Sequence, residues 1–170
     1  MSSPLSRATT AWIVCAGLFG CAGPADEQAT ITPAPRRESF PPVADMLHSH
    51  CGSLDCHGSR VRNLRIYGIN GLRIDGISGT GPTTADEYDA TYRAIVYLEP
   101  EKLSRVVADG GRNPERLSLV RKARGAEEHK GGTMAPQGSE ADRCLTSWIA
   151  GALDAPACAL AAEMSPPEGF

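Results

Sequence analysis

Residues 51–57 read Cys-Gly-Ser-Leu-Asp-Cys-His, two thiols with four residues between them and an imidazole directly after the second. This stretch restricts the fold most, because thiols spaced so closely are commonly held to each other, to a metal or to a covalent group. Composition explains why such a staple is needed. Phe, Trp and Tyr supply only 5% of the 170 residues, thin material for a self-sufficient core in one small domain. The net charge of −3 comes from 17 basic and 20 acidic residues without long runs of either sign, so no nucleic-acid surface is expected.

The N-terminus decides how the other cysteines are read. Arg7 precedes a run of apolar and small residues from Ala8 to Gly20, too short to span a bilayer and the right length for a secretory signal. The run ends in Leu18-Phe19-Gly20-Cys21, which resembles the bacterial lipoprotein box. That resemblance implies a signal peptide over residues 1–20 and lipid on Cys21. Removing the leader, with its one arginine and no acid, takes the net charge from −3 to −4. Residues 21–42 are rich in Pro, Ala and polar side chains and are expected to form a flexible tether with a reach of roughly 25 Å. The folded domain is expected over residues 43–160, followed by a disordered tail over 161–170. Lipid at Cys21 would anchor the chain to a membrane without spanning it. The expected location is therefore periplasmic or elsewhere in the bacterial envelope. Cys15 falls within the leader, which leaves Cys51, Cys56, Cys144 and Cys158 in an oxidising compartment, where thiols are paired or covalently occupied. Sequence proximity suggests two pairs, though four cysteines permit three connectivities.

The pattern predicts a mainly α domain with one short β-hairpin. Pro41-Pro42 opens a helix in which Val43, Met46, Leu47 and His50 share a face and lead to Cys51. "LRIYGIN" and "LRIDGIS" flank Asn70-Gly71, the dipeptide that tight hairpins favour, so Leu64 to Ile77 reads as the hairpin. Thr84 with Glu87 forms a capping-box pattern before a stripe of Tyr88, Tyr92, Ile95 and Val96. A short helical turn is expected over Glu101 to Ala108. Asn113-Pro114 should cap and begin a helix that buries Leu117 and Val120 and stops at Gly125. Ser139 with Asp142 starts a last helix carrying Leu145, Trp148 and Ile149.

Covalent haem attachment needs two thiols that reach the two vinyl groups of a porphyrin and an imidazole that reaches the iron. Cys51, Cys56 and His57 supply those groups, with Gly52 letting the longer loop bulge and Gly58 letting the chain turn away. "CGSLDCHG", "GLRI", "NPERLSLV" and "HKGGTMAPQGSEADRCLTSWIAG", in that order, resemble landmarks of the cytochrome c superfamily, in particular planctomycete-type cytochrome c domains. The likeness covers about residues 43 to 152. It departs from the usual motif in having four residues between the cysteines where most members have two. It implies haem c on Cys51 and Cys56, with His57 as the proximal iron ligand. Met134, in "GGTMAPQGS", is similar to the methionine that closes the distal side of many small cytochromes c, and His129 is the alternative sixth ligand.

Other readings use the same residues. His48 and His50 could complete a zinc site with Cys51, Cys56 or His57, although the later cysteines, thirteen residues between them, lack zinc-ligand spacing. His48 and His50 otherwise read as a helix surface and a helix end. Cys144 and Cys158 bracket the last helix and a turn at Asp154-Ala155-Pro156; a disulfide there would contribute roughly 3 kcal/mol. Arg60, Arg62, Arg65 and Arg73 read as exposed charges, or as partners for haem propionates.

Two functions follow as expectations. The first is a lipid-anchored monohaem cytochrome that passes single electrons between redox partner proteins of the envelope. It would meet the membrane through its anchor alone and carry no catalytic residues. The second is a haem-free lipoprotein of binding or structural role, with Cys51 and Cys56 joined.

Overall fold

Pro41 and Pro42 begin the first helix, α1 (Pro41–Cys51), in the computed structural model, which describes residues 32–69, 71–75 and 81–163. The expected leader over 1–20, Cys21, the early tether, and residues 164–170 of the expected tail lie outside the described residues. Further along are α2 (Ala85–Val96), α3 (Pro100–Ala108), a 3-10 turn (Pro114–Arg116), α4 (Ser118–Ala123), α5 (Glu140–Ile149) and α6 (Ala155–Glu163). The molecule is mainly α, and among the described residues no helix is long and apolar enough to cross a membrane.

The core forms where amphipathic faces meet. α1 buries the expected stripe of Val43, Met46, Leu47 and His50, with Ala44 beside it, and packs on both α5 and α6, which also pack on each other. The largest buried side chain is Trp148 of α5, wedged against Phe40 at 4.9 Å between ring centroids and Tyr92 at 6.1 Å. Its indole N–H donates to the Arg36 carbonyl at 2.9 Å, and the Tyr92 hydroxyl donates to that of Pro35 at 2.9 Å. Residues from Pro35 onward, assigned by sequence to the tether, are thus packed on the helices. The core from Phe40 to Ala161 lies in one compact unit that begins at Thr32.

The capping box of α2 forms as expected: Thr84 accepts from the Glu87 amide, and the Glu87 carboxylate accepts from the Thr84 amide at 2.9 Å. The region after Asn113 differs. Asn113 takes a left-handed conformation (φ 54°) without capping through its side chain, and a 3-10 turn precedes α4. The cap on α4 comes from elsewhere: Glu99, at the N-cap of α3, accepts from both the amide and hydroxyl of Ser118 at 2.6 Å. A carboxylate at exposed helix amides is favoured by hydrogen bonding and by the helix dipole.

That arrangement carries a pH dependence. Burial opposes the charged form of Glu99, but hydrogen bonds from Lys102 and Ser118 outweigh it and hold the carboxyl at about 2, against an ordinary 4.5. A carboxyl depressed by folding stabilises the native state above the unfolded pKa and loses that contribution as pH falls through the folded one. Urea unfolding should show wild type losing about 2 kcal/mol more than Glu99→Gln between pH 5 and pH 2. Parallel losses in the two proteins would refute this role for Glu99.

Among the described residues the predicted β-hairpin is not seen; residues 64–69 and 71–75 lie outside any strand, with one isolated bridge between Tyr67 and Leu72. Its turn residue Asn70, and Gly76 and Ile77, lie outside the described residues. The visible reason is competition for backbone donors. The Tyr67 amide donates to Thr91 Oγ1 at 3.0 Å, the Ile74 amide to Glu87 Oε1 at 3.4 Å, and the Ile66 amide to the His57 carbonyl at 2.9 Å. α2 and the cysteine loop therefore take donors that a hairpin ladder would use.

α6 was expected only as a turn and the start of a tail. Asp154 caps it, its carboxylate accepting from the Ala157 amide at 3.0 Å, and Pro156 sits in the first turn, where it breaks nothing. Ser49 and His50 of α1 then satisfy carbonyls at its far end, those of Ala162 and Ala161, both at 2.9 Å. The expected disulfide forms between α5 and α6: Cys144 and Cys158, fully buried, have their Cα atoms 4.6 Å apart.

Candidate functional site

α1 delivers Cys51 as its last residue, and the chain then folds into one tight loop. The amides of Cys56 and Gly58 both donate to the Ser53 carbonyl at 2.9 Å, and the His57 amide returns to the Cys51 carbonyl at 3.0 Å. The four residues between the cysteines thus make a closed, hydrogen-bonded turn. Gly58 is required by close approach, since a Cβ there would lie 2.1 Å from the Gly52 carbonyl oxygen.

Cys51 and Cys56 are both free and half-buried. Burial pushes the Cys51 thiol up to about 12, and neighbouring Cys56 pushes in the same direction. Cys51 is therefore a neutral thiol near pH 7, and the disulfide between it and Cys56 that the haem-free reading supposed is not formed.

His57 is oriented through its ring. Its Nδ1 lies 3.0 Å from the Leu64 carbonyl, an acceptor only, so Nδ1 carries the hydrogen and, in the neutral ring, the lone pair falls on Nε2. A backbone carbonyl behind the ring is how a ligating imidazole is commonly held in tautomer and direction.

The two sixth-ligand candidates occupy different settings. Met134 is buried, and its amide and that of Ala135 both donate to the Ala123 carbonyl, at 3.0 and 2.8 Å, pinning this loop to the end of α4. Gly125, left-handed at φ 72°, stops the chain after α4 as expected and leaves room for Thr133, whose Oγ1 would be 2.0 Å from a Cβ. His129 has a buried Nδ1 without a partner. Its pKa is lowered first by burial and then by the nearby His57 and Lys122, with Glu127 opposing. The fold therefore brings the two imidazoles of His57 and His129 into electrostatic range.

His48 does not lie on a helix surface as expected, whereas His50 keeps its place on the expected stripe of α1. His50 is buried and bonded to α6. The His48 ring is packed against Gly52, Gly68 and Gly71, where added Cβ atoms would approach it to 2.8, 2.6 and 2.9 Å, and its Nε2 is buried without a partner. Burial lowers its pKa; Asp45 and Glu87 raise it and Arg73 lowers it. Gly52, read from sequence as letting the loop bulge, and Gly71, read as a turn residue, thus join Gly68 in making room for an imidazole. Among the described residues no three His, Cys, Asp or Glu side chains converge as a metal site requires.

Arg73 is not an exposed charge. It pairs with buried Glu87 at 2.6 Å and donates to the carbonyls of Gly81 and Pro82 at 2.7 and 3.1 Å, tying the loop to α2. Sequence reasoning had Glu87 as a cap; that it also anchors a distant loop carries no local signal. Two open clefts, about 350 Å³ beside Phe40, Tyr88 and Asp89 and about 380 Å³ beside Arg124, Arg143 and Asp154, lie away from the cysteine loop.

Taken together, the loop defines a class of site: two free thiols and an oriented imidazole on a hydrogen-bonded turn at a helix end. No family model matches the chain, and neither does any curated protein or solved structure.

Proposed function

We propose that the chain is an exported, lipid-anchored monohaem cytochrome of the c type that carries single electrons in the bacterial envelope. The observation that carries this reading is His57, whose Nδ1 faces the Leu64 carbonyl and whose Nε2 is left to bind a metal, one residue after a free cysteine. Cys51 and Cys56 would hold haem c through thioethers, and His57 would bind the iron. The haem supplies a one-electron iron couple when bound. Two side chains compete for the sixth position. Burial on a pinned loop supports Met134, whereas the unpartnered buried Nδ1 of His129, on a ring near enough to His57 to feel its charge, supports His129. Either would fill the last coordination position, which suits electron transfer between protein partners more than catalysis.

The haem-free reading keeps one specific support. A buried thiol held near 12 is a poor nucleophile for thioether formation. Expression in a host that matures c-type haem separates the two. The cytochrome reading expects a sharp reduced α-band and haem that survives denaturing electrophoresis, both lost in Cys51→Ala/Cys56→Ala. Colourless wild-type protein from that host would overturn it. In haem-loaded protein, Met134→Ala and His129→Ala should differ, the true ligand's removal shifting the spectrum and the potential.

A further inference from the structure

We propose that the loop around the cysteines, from Ser53 to Arg65, is a docking surface for an anionic lipid bilayer. This segment carries Arg60, Arg62 and Arg65 against the single acid Asp55, in a chain whose net charge is −3. Among the described residues none of these three guanidinium groups is in an ion pair, whereas nine other cations are. Their charge is concentrated on one piece of surface. The Arg62 amide donates to the Ser59 carbonyl at 3.2 Å, a turn with Arg60 and Val61 at its corner. Arg62 Nη2 reaches the Asp55 carbonyl at 3.3 Å, which brings Leu54 and Asp55 alongside, and Arg65 Nε donates to the Arg62 carbonyl at 3.2 Å. Neutral carbonyls thus hold two of the arginines in place without cancelling their charge.

The apolar part of the surface points the same way. Val61 is 88% exposed and Leu54 55%. An aliphatic side chain flanked by arginines at a turn corner matches the headgroup region, where cations meet lipid phosphates and the apolar group dips towards the acyl boundary. A protein partner fits less well, because Ser53–Arg65 contains no Phe, Tyr or Trp, the anchors that protein interfaces favour. The surface needs no haem, so this proposal stands or falls independently of the cytochrome reading.

The test uses the compact unit from Thr32 to the C-terminus, without lipid, in co-sedimentation with vesicles at low salt. Vesicles of 70% phosphatidylcholine and 30% phosphatidylglycerol should bind it, and pure phosphatidylcholine much less. Arg60→Gln/Arg62→Gln/Arg65→Gln should weaken binding to the anionic vesicles by on the order of 100-fold. Val61→Ser should weaken it several-fold. Arg36→Gln/Arg105→Gln/Arg112→Gln, an equal loss of charge among other unpaired arginines, should change it far less. Equal binding to both vesicles, wild-type binding by the first triple variant, or equal loss in the second would overturn the proposal. Retention on immobilised polyglutamate without vesicle binding would also overturn it, in favour of an acidic protein surface.

Discussion

Trp148→Ala is expected to destabilise the domain by about 4 kcal/mol, read as a lower urea midpoint at unchanged slope. Trp148 is 1% exposed and joins elements distant in sequence: Phe40 before α1, Tyr92 on α2, and the Arg36 carbonyl. Truncation removes the largest buried side chain, leaves a cavity that rigid neighbours fill poorly, and strips the Arg36 carbonyl of its donor. Trp148→Phe should cost less, about 2 kcal/mol, because most of the packing survives and the hydrogen bond does not. A Trp148→Ala loss below 1 kcal/mol would show that the aromatic cluster is not the centre of the core.

Loss of the Cys144–Cys158 disulfide should be the second large effect. Both cysteines are fully buried, and the bond closes a short loop, 14 positions along the chain, that joins α5 to α6. Such a loop gains about 3 kcal/mol from restricting the unfolded chain. The double variant Cys144→Ala/Cys158→Ala should therefore melt roughly 10 °C lower than wild type. Because α6 also receives Ser49 and His50 from α1, the variant should still fold, with faster amide exchange in α6 than elsewhere. Equal melting temperatures would mean that the helix contacts alone hold α6.

Legibility followed the range of the interactions. Thr84 with Glu87, Pro41-Pro42 and Ser139 with Asp142 announce helix starts through groups within a few residues, and all three helices form there. α6 was missed because its alanines show little hydrophobic contrast around the helix, so Asp154 and Pro156 read as a turn when they are a cap and a first-turn proline. The expected hairpin is not seen among the described residues, because Asn-Gly between alternating segments is a local preference, while Thr91 and Glu87, which accept the Tyr67 and Ile74 amides from another helix, are not visible locally. Within the candidate site, the thiols and His57 were legible as chemistry. The Leu64 carbonyl behind His57, and the coupling of His57 to His129, were not.

By itself the amino-acid sequence determined the mainly helical class and the principal helix starts, because each rests on side chains acting within a turn; chain proximity only suggested the Cys144–Cys158 pair, since the same argument joins Cys51 to Cys56, which are free. The tertiary structure alone decided that Glu99 caps α4, that Thr91 and Glu87 take the amides of Tyr67 and Ile74, and that His48 lies under Gly68 and Gly71. Those contacts join residues whose spacing has no period, and only the packing of the helices brings their polar groups within hydrogen-bonding reach.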